Sequence, residues 1–579
     1  MNKKILLGEA LLALTIVLGF KLNHQQKISL GQISRQEVYK NKTIFHCSPD
    51  WNLLDADSLG NTMKPLPGWG SYRWNIDTRS DSARFYFNQG INMYYAFHII
   101  ESMASFKKAQ GFDASNPMLY WAEALAYGPN INDIEYAATP NALMAAKKAM
   151  ALATPVTAKE KALIEAMQLR YSADSTISRI SLNAAYAQQM KAAYNKFSAD
   201  ADIAALYADA LMLQHPWEYW KHNGSPYSWT PEILSVLEKN LKLHPLHPGA
   251  NHYYIHAVEA SPNPGRALAS AGRLSKMMPS VSHMVHMPSH IYIRTGNYRQ
   301  GEAVNAKSVN GYNQYLALYP DVVNNAPLYL IHNLHMKTAC AMMLPNYEEA
   351  KKEAAACVAS FDTAVLSLPQ PTGNFVQYVY VIPQLVNVRY GKWKKQLSTA
   401  AIPAGYGFAR VLQLWANGLA YANTGKINEA KSALTQMQQA MKREDLLVVL
   451  NPFNAPISTC KLVEQILQGT IAEKEKNLED AISHFTAAVQ FEDALIYNEP
   501  RDWLIPSRHY LAHAYLLQKN YTKAWMILEQ DLKQNPRNFY ALSGLEQIER
   551  LGGSRTAKYA AILKASYIHS DMPRPALLY

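Results

Sequence analysis

The sequence predicts an all-α chain built as a solenoid of stacked helix hairpins. Three observations predict it. Apolar residues recur with a helical period and not with the two-residue alternation of strands. Gly and Pro fall mostly between the apolar runs. Small and aromatic residues return at fixed spacings in four separate stretches of the 579 residues. With 49% hydrophobic residues the chain has ample material for a large core. It is nevertheless too long for one compact domain unless a quasi-linear array supplies that core piece by piece.

Residues 1–45 read as a signal or membrane-anchor segment with its linker. Lys3 and Lys4 precede an apolar stretch from Ile5 to Phe20, interrupted by Gly8, Glu9 and Thr15. The stretch is shorter than the ~20 residues that span a bilayer comfortably, which fits an uncleaved signal anchor or a cleaved signal. The expected location is therefore outside the cytoplasm, periplasmic or membrane-anchored, with the membrane as a partner through this segment. The net charge of +11 is concentrated here: Lys3, Lys4, Lys21, Lys27, Arg35, Lys40 and Lys42 face only Glu9 and Glu37. No block of Arg and Lys interleaved with aromatics follows, which argues against a nucleic-acid partner. The four cysteines, Cys47, Cys340, Cys357 and Cys460, form no C-x-x-C pair, so neither a zinc knuckle nor a thioredoxin-like site is encoded. Residues 46–82 are read as an N-terminal extension.

The repeat begins at Ala83. Counting from there, Gly90 falls at position 8, Phe106 at 24 and Ala109 at 27. Counting from Val411 gives Gly418, Tyr421, Gly425 at the turn and Ala430 at 20; from Leu462, Gly469, Ala481, Phe485 and Ala488; from Ile505, Ala512, Tyr515, Ala524 and Pro536. A small residue at 8 and Ala at 20 let two antiparallel helices approach closely, while 24 and 27 face the next hairpin. One hairpin cannot bury its own apolar face, so the hairpins must stack. These spacings resemble the tetratricopeptide (TPR) repeat, although a generic helical array also fits them. The resemblance implies a right-handed superhelix with a concave groove. Residues 83–247 are read as N-terminal repeats with loop insertions around Gly128–Asn132 and His215–Pro231, 248–400 as central His-rich repeats, and 401–579 as C-terminal repeats.

Nine of the 18 histidines lie between His244 and His335. Starting repeats at Pro248, Ser282 and Ile331 puts His252, His286 and His335 at position 5, His256 and His290 at position 9, and His283 and His332 at position 2, with Glu259 at position 12 of the first. Positions 2, 5, 9 and 12 share one face of an α-helix. The TPR resemblance implies that this face lines the groove. Helices packed ~8–10 Å apart can bring imidazoles of two adjacent repeats to one point. His252, His256, Glu259, His283, His286, His290, His332 and His335 are accordingly candidate metal ligands for one or two ions, with Glu259 as a ligand or general base. Imidazole-rich ligation suits zinc, copper or iron. The same residues also fit a polar peptide groove or satisfied core histidines.

The strings HPGxxHxxxH and HMPxHI also resemble a group of bacterial, often exported TPR proteins, together with Tyr86–Phe97, Gly128–Asn132 and Asn498–Trp503. That resemblance confers no established reaction. Trp121, Asn130 and Asn132 at one end, and Glu499, Trp503, His509 and His513 at the other, are further groove candidates. Two functions remain open: a metal-dependent oxidoreductase or hydrolase, and a membrane-tethered scaffold holding a peptide, protein or small-molecule ligand.

Overall fold

The computed structural model describes residues 54–131, 139–318, 326–449, 453–551, 559–571 and 577–578. The N-terminal segment, Cys47 and Asn132 lie outside the described residues. Among the described residues no strand forms, and no helix is long and apolar enough to cross a membrane.

Helix α1 (Ala56–Thr62) lies beside the first hairpin, α2 (Asp81–Tyr95) and α3 (Ile99–Phe112). There follow α4 (Pro117–Ala126), α5 (Thr139–Ala151), α6 (Ala158–Gln168), α7 (Arg179–Lys196), α8 (Ala201–Met212) and α9 (Thr230–Leu243). The central part comprises α10 (Pro248–Glu259), α11 (Leu268–Met277), α12 (Ser282–His286), α13 (Pro288–Arg294), α14 (Tyr298–Leu318), α15 (Ala326–Ala341) and α16 (Tyr347–Ala359). The C-terminal part comprises α17 (Thr372–Arg389), α18 (Trp393–Leu397), α19 (Gly407–Asn423), α20 (Ile427–Ala440), α21 (Pro456–Lys474), α22 (Leu478–Asp493), α23 (Ser507–Leu517), α24 (Tyr521–Gln534), α25 (Phe539–Arg550) and α26 (Ala560–Ser566).

The hairpins pack as the TPR spacing requires. In α2 the Gly90 position lies directly against the Phe106 ring of α3, and in α21 Gly469 lies against Phe485 of α22. A methyl group at either glycine would overlap the ring, so the small residue sets how closely the two helices approach. Helix starts follow local chemistry. The Ser80 hydroxyl accepts from Ala83 N–H, Thr157 and Glu160 form a reciprocal capping box, and Asp200 accepts from Asp202 and Ile203 N–H. Helix α10 is capped by His247, whose Nδ1 accepts from Ala250 N–H at 3.0 Å, with Pro248 at the first helical position.

Two departures from the predicted register stand out. The first helix of the repeat at Ser282 is divided at Met287–Pro288, because Pro288 has no N–H to give to the ladder. The next repeat is displaced: α14 runs for 21 residues, and α15 starts at Ala326, ahead of the expected Ile331.

The C-terminal hairpins curl back onto the central ones. Phe539 N–H donates to Met343 O at 3.2 Å, Arg537 Nη1 to Asn297 Oδ1 at 3.0 Å, and Arg389 Nε to Met342 O at 3.0 Å. Gly296 has φ +73°, and its Cα faces the Pro536 carbonyl so closely that no side chain fits. One large core runs from Ala56 to Ile291 and a second from Ile331 to Leu563. The histidine-bearing helices sit where the two meet.

Candidate metal centre

Helix α10 carries His252 and His256 one turn apart, and α12 brings His283 against them. The Nε2 atom of His252 is 3.2 Å from Nε2 of His256 and 3.1 Å from Nε2 of His283. A second trio repeats the design one hairpin on. His286 and His290 lie one turn apart across the α12–α13 junction, with Nε2 atoms 2.7 Å apart, and α15 supplies His332. In each trio every ligand atom lies within 4.8 Å of the others. Each set is thus an i, i+4 pair from one repeat completed by a histidine from the next, and each straddles a repeat–repeat seam.

Ring orientation is set from behind. His252 Nδ1–H donates to the Tyr95 carbonyl at 2.6 Å, and His286 Nδ1–H donates to Asn305 Oδ1 at 2.6 Å. The Nδ1–H groups of His256 and His290 both donate to Glu259, at 2.9 Å to Oε1 and 2.7 Å to Oε2. Where such a ring is neutral, with its proton on Nδ1, the lone pair sits on Nε2 and points into the cluster. The lone pairs of His252 and His256, facing one another at 3.2 Å, repel unless something positive lies between them. Two nitrogens bound ~2.0–2.1 Å from one tetrahedral ion sit roughly 3.3 Å apart, which matches.

The surroundings are dry. His252, His256, His283, His286 and His290 are all buried, and His332 is partly so. Burial, then the charge of neighbouring imidazoles, pushes His252, His283, His286 and His332 well below the usual imidazole range. His290 goes the other way: burial lowers it, but Glu499 and Glu259 outweigh burial and lift it to about 10. Glu499 reaches His290 Nδ1 with Oε2 at 3.0 Å and lies 3.9 Å from His332 Nε2. Burial raises Glu499, and the ionised Glu259 beside it raises it further. Tyr497 O–H donates to Glu259 Oε2 at 3.0 Å.

Three aromatics close the cluster. Phe97 lies over His252, with ring centroids 4.5 Å apart, and also contacts His256 and His283. It stands at φ 58°, a region bulky residues rarely adopt, just past the end of α2. There His98 N–H bonds back to Met93 O, and Phe97 N–H to Tyr94 O, as in a Schellman cap. Glycine is the usual residue at that position; here a phenyl ring occupies it and roofs three imidazoles. Trp217, also at positive φ, meets His256 edge-on at 5.2 Å and donates its indole N–H to Ile131 O. Tyr497 is the third.

Several expected residues fall elsewhere. Glu259, expected as a ligand or general base, places both carboxylate oxygens on Nδ1–H groups, so it orients two rings. It could ligate with His256 and Glu499 in a further three-residue grouping. That arrangement would need His256 Nδ1 without its proton. His335 belongs to neither trio; it is buried against Tyr378, with ring centroids 5.7 Å apart. Trp121 is a core residue, packed edge-on against Trp74 with its indole N–H on Leu163 O, because α4 turns that face inward. Asn130 is buried, one residue before the Ile131 carbonyl that holds Trp217. Trp503 packs on Trp415 in the second core. His509 is locked between Arg389 and Asp531, and half-buried His513 lies 3.8 Å from Glu473, so neither faces the cluster. Glu499 is the outlying candidate that joins the histidines. Sequence reasoning missed Phe97, Trp217, Tyr497 and Asn305 as site residues. The first three lie in strings already conspicuous for their aromatic content, Tyr86–Phe97, His215–Trp220 and the approach to Asn498–Trp503.

No protein-family model matches the chain, and no curated protein matches it. Solved structures do resemble it. The human IFIT1 dimer with m7Gppp-AAAA is 12% identical, covering 92% of this chain and 97% of that one, with a TM-score of 0.31. Yeast Tom70 is 11% identical over 85% and 91%, with a TM-score of 0.31. The TPR domain of P58(IPK) is 13% identical over 81% and 98%, with a TM-score of 0.20. At such scores nothing about ligand or partner passes to this chain.

Proposed function

We propose that the chain is a transition-metal protein with two adjacent ions, one on His252, His256 and His283 and the other on His286, His290 and His332. The observation that carries the reading is the convergence of His256 Nε2 and His283 Nε2 on His252 Nε2, at 3.2 and 3.1 Å, with the ring protons of His252 and His256 held outward by Tyr95 O and Glu259. All-imidazole trios suit zinc or copper better than a carboxylate-bridged iron pair, because the carboxylates sit behind the rings. Three protein ligands leave a fourth position for water or substrate, the arrangement of catalytic rather than structural ions. Such an ion activates water or dioxygen, so the activity class is a metal-dependent hydrolase or oxidoreductase. Within this reading an exported or membrane-anchored location rests on Met1–Phe20.

A peptide groove is the weaker reading at this point in the fold. Five of the six imidazoles are buried, and Tyr497 and Glu499, more than 160 residues further along the chain, pack against Glu259 and His290 beside them. Elemental analysis of tag-free protein decides. The expected result is close to two equivalents of zinc or copper. Replacing His252 and His256 by Ala should remove one, and replacing His286 and His290 the other. Protein that stays metal-free after incubation with both ions sinks the proposal.

A further inference from the structure

A cavity of about 60 Å³ opens beside the second trio, between α15, α17, α19 and the segment that carries Glu499. One water needs roughly 10–15 Å³ by this kind of measure, so the space has the scale of a small molecule and not of a peptide. Its wall is unusual in what it leaves unmet. Its lining residues His335, Asn374, Tyr378 and Glu499 each carry a buried polar atom, Nε2, Oδ1, Oη and Oε1 respectively, that makes no hydrogen bond within the chain. His335, Asn374 and Tyr378 are 4%, 3% and 6% exposed. A buried polar atom without a partner costs about 1–3 kcal/mol, and four such atoms around one space point to a missing ligand.

The wall also defines what that ligand is. Phe375 and Phe408 give it flat apolar surface, and the Tyr378 ring stacks on Phe408 at 5.9 Å. Among the described residues that line it there is no Lys or Arg, while two carboxylates, Glu499 and Asp502, are present. An anion would meet two carboxylates and no cationic side chain to offset them. Asn374 Oδ1 and Glu499 Oε1 call for donors, whereas the phenol and the imidazole both donate and accept. Hydroxyl groups serve both kinds of partner; an ammonium only donates.

We infer that this cavity binds a small uncharged hydroxyaromatic molecule, held by Asn374, Tyr378, His335 and Glu499 between aromatic walls. Glu499 belongs to both places: it lines the cavity, while its Oε2 lies 3.0 Å from His290 Nδ1 and its Oε1 lies 3.9 Å from His256 Nδ1. The ligand therefore sits against the metal centre as its substrate, a role that rests on the metal reading, although binding itself does not.

Calorimetry with catechol, benzoate and benzylamine tests this on the full chain, both after chelator treatment and after metal loading. Catechol should bind saturably at one site in both forms, about tenfold more weakly in Tyr378→Phe and in Asn374→Leu, with neither charged probe competing. Absent catechol binding, binding that survives both substitutions, or benzoate or benzylamine bound as tightly as catechol would each overturn the inference. Unchanged thermal melting of the Tyr378→Phe variant separates lost binding from lost folding. Catechol bound by protein that never holds metal removes the metal proposal alone; metal held without catechol removes this one alone.

Discussion

Tyr497 and Glu259 are 238 residues apart in the chain, and the phenol of one donates to the carboxylate of the other at 3.0 Å. Glu259 in turn holds His256 and His290, one from each trio. A residue of the C-terminal part therefore steadies both histidine trios through Glu259.

Tyr497→Phe should keep both ions but weaken them, since losing a partner behind a ligand typically costs 10–100-fold in metal affinity. Chelator competition should show about a tenfold loss that appears at both sites. A loss confined to one trio would contradict the shared-carboxylate geometry.

Glu259→Gln should do more. An amide accepts through only one of its two end atoms, so one of His256 and His290 loses its acceptor. The expected outcome is loss of about one equivalent of metal by elemental analysis, with the circular dichroism of the helices retained.

Gly90→Ala and Gly469→Ala test the hairpin packing. Each added methyl overlaps the partner ring, Phe106 or Phe485, and overpacking of this kind costs about 1–3 kcal/mol. Chemical denaturation should show both variants destabilised in that range. The Ala variant of Gly425, which has no neighbour within reach but has φ +80°, should lose only the conformational part, about 1 kcal/mol.

Asp209 gives a pH signature away from the metal centre. Burial raises it to about 6 against the opposing pull of Arg170 and Tyr94. Because the folded state holds this proton more tightly than the unfolded chain, the contribution is full below about pH 4 and is lost as pH rises through about 6. The magnitude is on the order of 3 kcal/mol. Stability of Asp209→Asn relative to the parent should therefore increase from pH 4 to pH 7, and a flat difference would refute the assignment.

Much of this was legible in the sequence, for identifiable reasons. The Gly90–Phe106 and Gly469–Phe485 spacings report a contact between sequential helices, which a repeat pattern records directly. The two trios were legible because positions 2, 5 and 9 sit on one helical face, so register alone brought His252, His256, His283, His286, His290 and His332 into one list. Register could not say that His335 turns to a different cavity, because the long α14 and the early start of α15 shift that repeat relative to its neighbours. Nor could it rank Glu499 above Trp503, His509 and His513. Those four share a neighbourhood in sequence, and only the curl of the C-terminal hairpins decides which one meets the histidines. Phe97 was hidden for another reason: its position past the end of α2 is one where a glycine is ordinarily expected.

The contact of Gly296 with the Pro536 carbonyl has a consequence for the order in which the histidine cluster is assembled. On a ribosome, all six imidazoles emerge long before Tyr497 and Glu499 do. The nascent chain thus passes through a stage in which the six histidines, Phe97 and Trp217 exist without Tyr497 and Glu499, and under the metal proposal an ion caught then would remain exchangeable. Closure of the far hairpins completes the enclosure, and under the metal proposal it is the step that would slow exchange of an ion already bound.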